Sequence, residues 1–95
     1  MFHLIYISRA SHPLREEELL DILNKSRQYN KKHQITGMLL YLNDKFIQVL
    51  EGNYSDVQNV FEKIKADQRH HKVTLVLEGN TEHRIFKNWS MVSKN

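Results

Sequence analysis

The tightest constraint on the fold lies mid-chain, where Thr36–Leu42 and Lys45–Glu51 flank the dipeptide Asn43-Asp44. Both stretches are rich in β-branched, aromatic and aliphatic residues. In the second, Phe46, Gln48 and Leu50 share one side of an extended chain and Ile47 and Val49 the other. Two polar residues that tolerate positive φ are the connection a tight antiparallel hairpin requires. An isolated hairpin is at best marginally stable in water. The rest of the 95 residues must therefore supply further strands and a covering layer.

The flanking segments provide both. Residues 2–8 read as a strand. A first helix is expected to begin near Pro13, with Glu16, Glu17 and Glu18 at its positive end and Lys31, Lys32 and His33 at its negative end. Its buried stripe, Leu19, Ile22 and Leu23, continues at helical spacing to Ser26 and Asn30. Gly52-Asn53 breaks the third strand. Ser55, with Gln58 three residues on, is expected to cap a second helix whose apolar face is Val57, Val60, Phe61 and Ile64. Asp67–Lys72 reads as a polar loop, Val73–Leu77 as a fourth strand and Arg84–Phe86 as a short fifth. The order β-α-β-β-α-β plus one strand predicts an α+β, ferredoxin-like domain over residues 1–95, with two helices on one face of a mixed sheet. No linker or repeat divides it, and the topology by itself specifies no activity.

Composition removes several classes of function. The absence of cysteine excludes disulfides, thiolate metal sites and a thiol nucleophile, and suits a cytoplasmic setting. No apolar run approaches the roughly 20 residues of a membrane span, and Met1-Phe2-His3-Leu4 lacks the features of a signal peptide. The net charge of +3 is spread along the chain, which fits a generic solvated surface and equally a single phosphate-bearing ligand. No histidine pair has metal-ligand spacing.

The informative residues are polar ones aimed at the core. Phe2, Leu4, Tyr6 and Ser8 share a face of the first strand, and Gln48 shares a face of the third with Phe46 and Leu50. If these faces look toward the helices, Tyr6 and Gln48 meet Ser26 and Asn30. Each unpaired buried polar group costs about 1–3 kcal/mol, so each needs a partner. They could satisfy one another or a buried water, or together grip the edge of a heteroaromatic ring bearing carbonyls and an N–H. The set holds no carboxylate pair, activated serine or metal cluster, so it is poor in conventional catalytic parts. On the residues alone, Arg69-His70 also fits a solvated loop tip, Trp89 a core anchor and Met91 a gap filler.

Five segments in order carry a family resemblance: Leu4-Ile5-Tyr6-Ile7-Ser8; Ser26-Arg27 with Asn30 and Ile35-Thr36-Gly37-Met38-Leu39-Leu40; Phe46-Ile47-Gln48-Val49-Leu50-Glu51-Gly52; Asp67-Gln68-Arg69-His70; and Phe86-Lys87-Asn88-Trp89-Ser90-Met91. They resemble the BLUF family, in register from Leu4 to Met91. The resemblance implies a blue-light photoreceptor domain, not an enzyme, with FAD held non-covalently between the two helices. It makes Tyr6 the electron and proton donor and Gln48 the bridge that rearranges its hydrogen bonds. Asn30 and Arg69 would lie at the polar edge of the isoalloxazine ring, His70 beside Arg69, and Ser26 in a supporting position. Trp89 and Met91 would form the signal output. Tyr29, before Asn30, departs from the smaller polar group or histidine common in the family, which implies an altered flavin contact. No motif reads an adenine, so FMN or riboflavin could stand in for FAD. The chain would be a minimal sensor or a piece of a larger protein.

The opposite sheet face, carrying His3, Ile5, Ile7, Ile47 and Val49, would be apolar and bare, which predicts a homo-oligomer or a protein partner docked there. The alternatives are a flavin-free ferredoxin-like interaction module and a nucleic-acid binder of the same topology. The second wants exposed aromatics and arginines on that face, so neither nucleic acid nor membrane is the expected partner.

Overall fold

A computed structural model describes residues 1–94. Its elements are β1 (Phe2–Ala10), α1 (Glu16–Lys32), β2 (Thr36–Leu42), β3 (Lys45–Gly52), α2 (Tyr54–Ala66), β4 (His70–Asn80) and β5 (Trp89–Lys94). The central hairpin forms as its turn chemistry requires: Asn43 and Asp44 take φ of 52° and 61°, the paired left-handed conformation of a type I′ turn. Tyr41 Oη donates to the Asp44 carboxylate at 2.8 Å and accepts from the Leu14 amide at 3.1 Å. The phenol thereby ties the hairpin tip to the approach of α1.

The sheet order is β4-β1-β3-β2-β5. All neighbours are antiparallel except β2 and β5, which run parallel. Period-two alternation puts Leu4, Tyr6, Leu39, Tyr41, Phe46 and Leu50 into one buried layer. Leu19 and Ile22 of α1, with Val57, Val60 and Phe61 of α2, close over it. The outer face is bare, and Ile7, Ile47, Leu77 and Val92 are all exposed.

Four boundaries differ from the sequence expectation. The fifth strand is Trp89–Lys94, not Arg84–Phe86. The amides of Ile85 and Phe86 instead donate to the Glu51 carboxylate, at 2.8 and 2.9 Å, so that segment's donors are satisfied without a ladder. Helix α2 starts at Tyr54 behind an extended Asn53, and Ser55 is not its cap. Helix α1 starts at Glu16 rather than Pro13, where the Glu18 carboxylate accepts from the Arg15 amide at 3.1 Å. Strand β4 is longer than Val73–Leu77, because β1 pairs with it from His70 to Asn80. Among the described residues, no helix is long and apolar enough to cross a membrane.

Candidate functional site

Antiparallel register sets Tyr6 of β1 directly opposite Gln48 of β3, and both side chains point into the helix-covered layer. Gln48 Nε2 donates to Tyr6 Oη at 2.6 Å. Trp89 Nε1 donates to Gln48 Oε1 at 3.0 Å. To reach Gln48, the indole must cross β2. Its cross-strand partner there is Gly37, which leaves the strand surface free of a side chain. Gly37 also has φ of +148°, and a Cβ on it would strike the Val49 carbonyl of β3.

These two bonds fix the orientation of the carboxamide. An indole N–H only donates, so the Gln48 oxygen must face Trp89 and the NH2 must face Tyr6. The phenol oxygen is then an acceptor toward Gln48, and its own O–H is free to point elsewhere. Burial pushes the Tyr6 phenol well above its ordinary value, against a smaller opposing effect of the Gln48 bond, so it is neutral at pH 7.

Above this floor, α1 and α2 enclose a cavity of about 370 Å³. Leu39 and Phe46 extend the floor, Ser26 and Asn30 line the α1 side, and Val60 and Ile64 line the α2 side. Asn30 is only 1% exposed, yet its Oδ1 has no hydrogen-bond partner. A buried orphan acceptor on the wall of a mostly apolar cavity is a place for an N–H donor from a ligand. An isoalloxazine offers such a donor between two carbonyls, and its flat ring suits a slot between two helices. The residues present therefore fit a flavin.

The structure brings Tyr6, Ser26, Asn30, Gln48, Arg69 and His70 to this one cavity. Besides the bonded Tyr6–Gln48 pair, two of them are already engaged. Arg69 donates to Asp67 at 2.7 and 3.1 Å and to Asp21 at 3.0 Å, which makes it a strut between α1 and the end of α2. Those Arg69 bonds hold the Asp67 carboxyl below its usual range. His70 has Nδ1 2.7 Å from Ser8 Oγ and Nε2 on the Ile64 carbonyl, so it fastens β4 to β1 and α2. Trp89 joins the Tyr6–Gln48 pair. Met91 lies opposite Leu39 and packs against the core, outside the cavity wall.

Sequence reasoning passed over Lys25, Lys63 and Asp67, which stand at the rim. Lys63 Nζ sits 4.5 Å above the Tyr29 ring. Exposed lysines on amphipathic helices look like a solvated face; only the pairing of α1 with α2 reveals a shared opening. Lys63 at three residues from Val60 was the available signal.

Comparison with known proteins agrees with this geometry. The family model for sensors of blue light using FAD (BLUF) matches residues 1–92. Photoactivated adenylate cyclase subunit beta of Euglena gracilis is 35% identical over 91 residues, which are 95% of this chain and 11% of that protein. The chain thus spans about a tenth of the length of that relative. A bacterial light-regulated adenylyl cyclase superposes with a TM-score of 0.93 at 34% identity, over 97% of this chain and 28% of that one. The dark-state structure of BlrB, a BLUF protein, gives 0.92 at 31% identity, over 97% and 71% of the two chains. A buried tyrosine–glutamine pair beneath a cavity of this kind and a family match over nearly all residues lead to one conclusion: the chain belongs to the BLUF family, and it is a flavin-binding blue-light sensor domain.

Proposed function

We propose that this domain holds FAD non-covalently between α1 and α2, and that Tyr6 and Gln48 convert absorption of blue light into a changed hydrogen-bond pattern. The observation that carries the proposal is the directed series Trp89→Gln48→Tyr6 on the floor of the cavity. A bound isoalloxazine would supply the blue absorption and an excited state that accepts one electron and one proton. Tyr6, neutral and poorly solvated, gives up one electron together with its hydroxyl proton and later recovers both. Its free O–H supports that role. While Tyr6 lacks its hydroxyl hydrogen, the hydrogen-bond preference around Gln48 changes and the carboxamide reorients. Reorientation costs the Trp89 bond, and β5 feels the change because Trp89 is its first residue.

Asn30 offers its orphan Oδ1 to the ring N–H, and Ser26 supports the same edge from one turn earlier. Arg69 and His70 hold the walls in place through Asp67, Asp21, Ser8 and Ile64. Trp89 and Met91 on β5 form the output, and FMN or riboflavin fits the inner cavity as well as FAD does. The bare sheet face is the docking surface for a second copy or a downstream partner, and the domain works in the cytoplasm. A sedimentation series to high concentration checks self-association, with an unchanged monomer counting against it.

The direct test is optical. The purified domain is expected to be yellow, and its flavin band to move to the red under blue light and return in darkness. A protein that binds flavin but only bleaches contradicts the mechanism.

A further inference from the structure

A second cavity, of about 560 Å³, lies on the other flank of α1, between that helix and the segment leading into β5. Its walls carry Arg27, Lys31, Arg84 and Lys87, and no carboxylate lines it. Three of these cations, Arg27, Lys31 and Lys87, have no acidic partner within ion-pair distance among the described residues. Arg84 donates to neutral atoms, Thr36 Oγ1 at 2.7 Å and the Glu51 carbonyl at 3.3 Å. The nearby Glu51 side chain is fully buried and spent on the Ile85 and Phe86 amides and the Thr36 hydroxyl. Lys31 also complements the negative end of α1. That role does not account for Arg27, a turn earlier, or for Arg84 and Lys87, which belong to another segment. Four like charges converging on one concave surface repel one another unless an anion joins them. Asn30, Gln34, Thr36 and Asn88 add hydrogen-bonding groups, and Trp89 forms part of the floor.

We propose that this crevice is a binding site for a small phosphate-bearing anion, separate from the flavin cavity. Guanidinium groups suit phosphate oxygens in paired, bidentate fashion. The two cavities share Asn30 alone, with Lys25, Ser26 and Tyr29 facing one and Arg27 and Lys31 the other. The anion therefore sits against Trp89, which bonds Gln48, and reaches the light-sensitive network from its output side.

The test uses the flavin-loaded protein in the dark, titrated with inorganic pyrophosphate or with ATP at constant ionic strength. Trp89 is the chain's single tryptophan, so its indole N–H resonance is one resolved reporter beside this crevice, and the Arg27 and Lys87 variants tie its response to the crevice. A saturable shift is expected, with affinity at least fivefold weaker in Arg27→Gln and in Lys87→Gln, neither of which has a structural partner. Calorimetry provides a readout independent of the indole. Tighter binding of ATP than of pyrophosphate assigns a nucleotide, and equal binding assigns the phosphate groups alone. A response that never saturates, or that is identical in the Arg27→Gln/Lys87→Gln double variant, overturns the proposal. Failure here with an intact photoreaction leaves the flavin reading standing. Anion binding by a protein that takes up no flavin does the reverse.

Discussion

The floor of the flavin cavity holds its polar groups by one-to-one bonds between buried neutral side chains, whereas the rim holds them by ion pairs open to water. On the floor, Tyr6, Gln48 and Trp89 are each less than a tenth exposed and joined at 2.6 and 3.0 Å. At the rim, Arg69, Asp67 and Asp21 pair at similar distances, but their side chains are 30–45% exposed. The floor bonds are directional and run in a single series with Gln48 at its centre, so moving a single proton or rotating one amide reorders the set. The rim pairs are screened and redundant, and serve to hold α1 and α2 at a fixed spacing. The proposed light-driven rearrangement, being of fine scale, is therefore assigned to the floor.

The difference can be broken from the floor side first. Gly37→Ala is expected to have the largest effect on folding, because a methyl group there meets the Val49 carbonyl at a φ reserved for glycine. We expect a loss of more than about 1 kcal/mol in denaturant unfolding, since an alanine forced into positive φ costs at least that much. An unchanged midpoint would mean that β2 and β3 are not so closely apposed beside Gln48. Asn30→Ala removes the orphan acceptor. A net loss of about 1–3 kcal/mol weakens flavin affinity roughly fivefold to 150-fold, measured by fluorescence titration. Affinity within twofold of the parent would show that Oδ1 does not meet the ligand.

Trp89→Phe keeps the aromatic anchor and deletes the N–H that orients Gln48. Stability should fall by about 1 kcal/mol, and the photoproduct should form with an altered recovery rate. The rim gives the smallest effect. Because Arg69 depresses the Asp67 carboxyl, the pair's stabilisation is present above the ordinary carboxylate value of about 4 and fades as pH falls through the folded value. Partial exposure limits it to about 1 kcal/mol or less. Asp67→Asn should flatten that acid limb while leaving the red shift intact.

Much of this architecture was legible because its determinants are local. Asn43-Asp44 specifies a turn through its own backbone preferences, and period-two spacing puts Tyr6 and Gln48 on the helix side. The fifth strand was misplaced because its location depends on Glu51, a buried carboxylate that captures the Ile85 and Phe86 amides from a distant part of the chain. No periodicity records that. The Trp89–Gln48 bond crosses an intervening strand and depends on an absent side chain at Gly37, so it too emerges only in three dimensions. The Arg69 strut and the Ser8–His70–Ile64 link were hidden for the same reason: sequence shows residue types, while partners are set by packing.

The most direct test loads Tyr6→Phe and Gln48→Ala with flavin and records light-minus-dark absorption beside the parent domain. Both variants should bind flavin and show no reversible red shift. A normal shift in either one would contradict the assignment of the phenol and the carboxamide as the working pair.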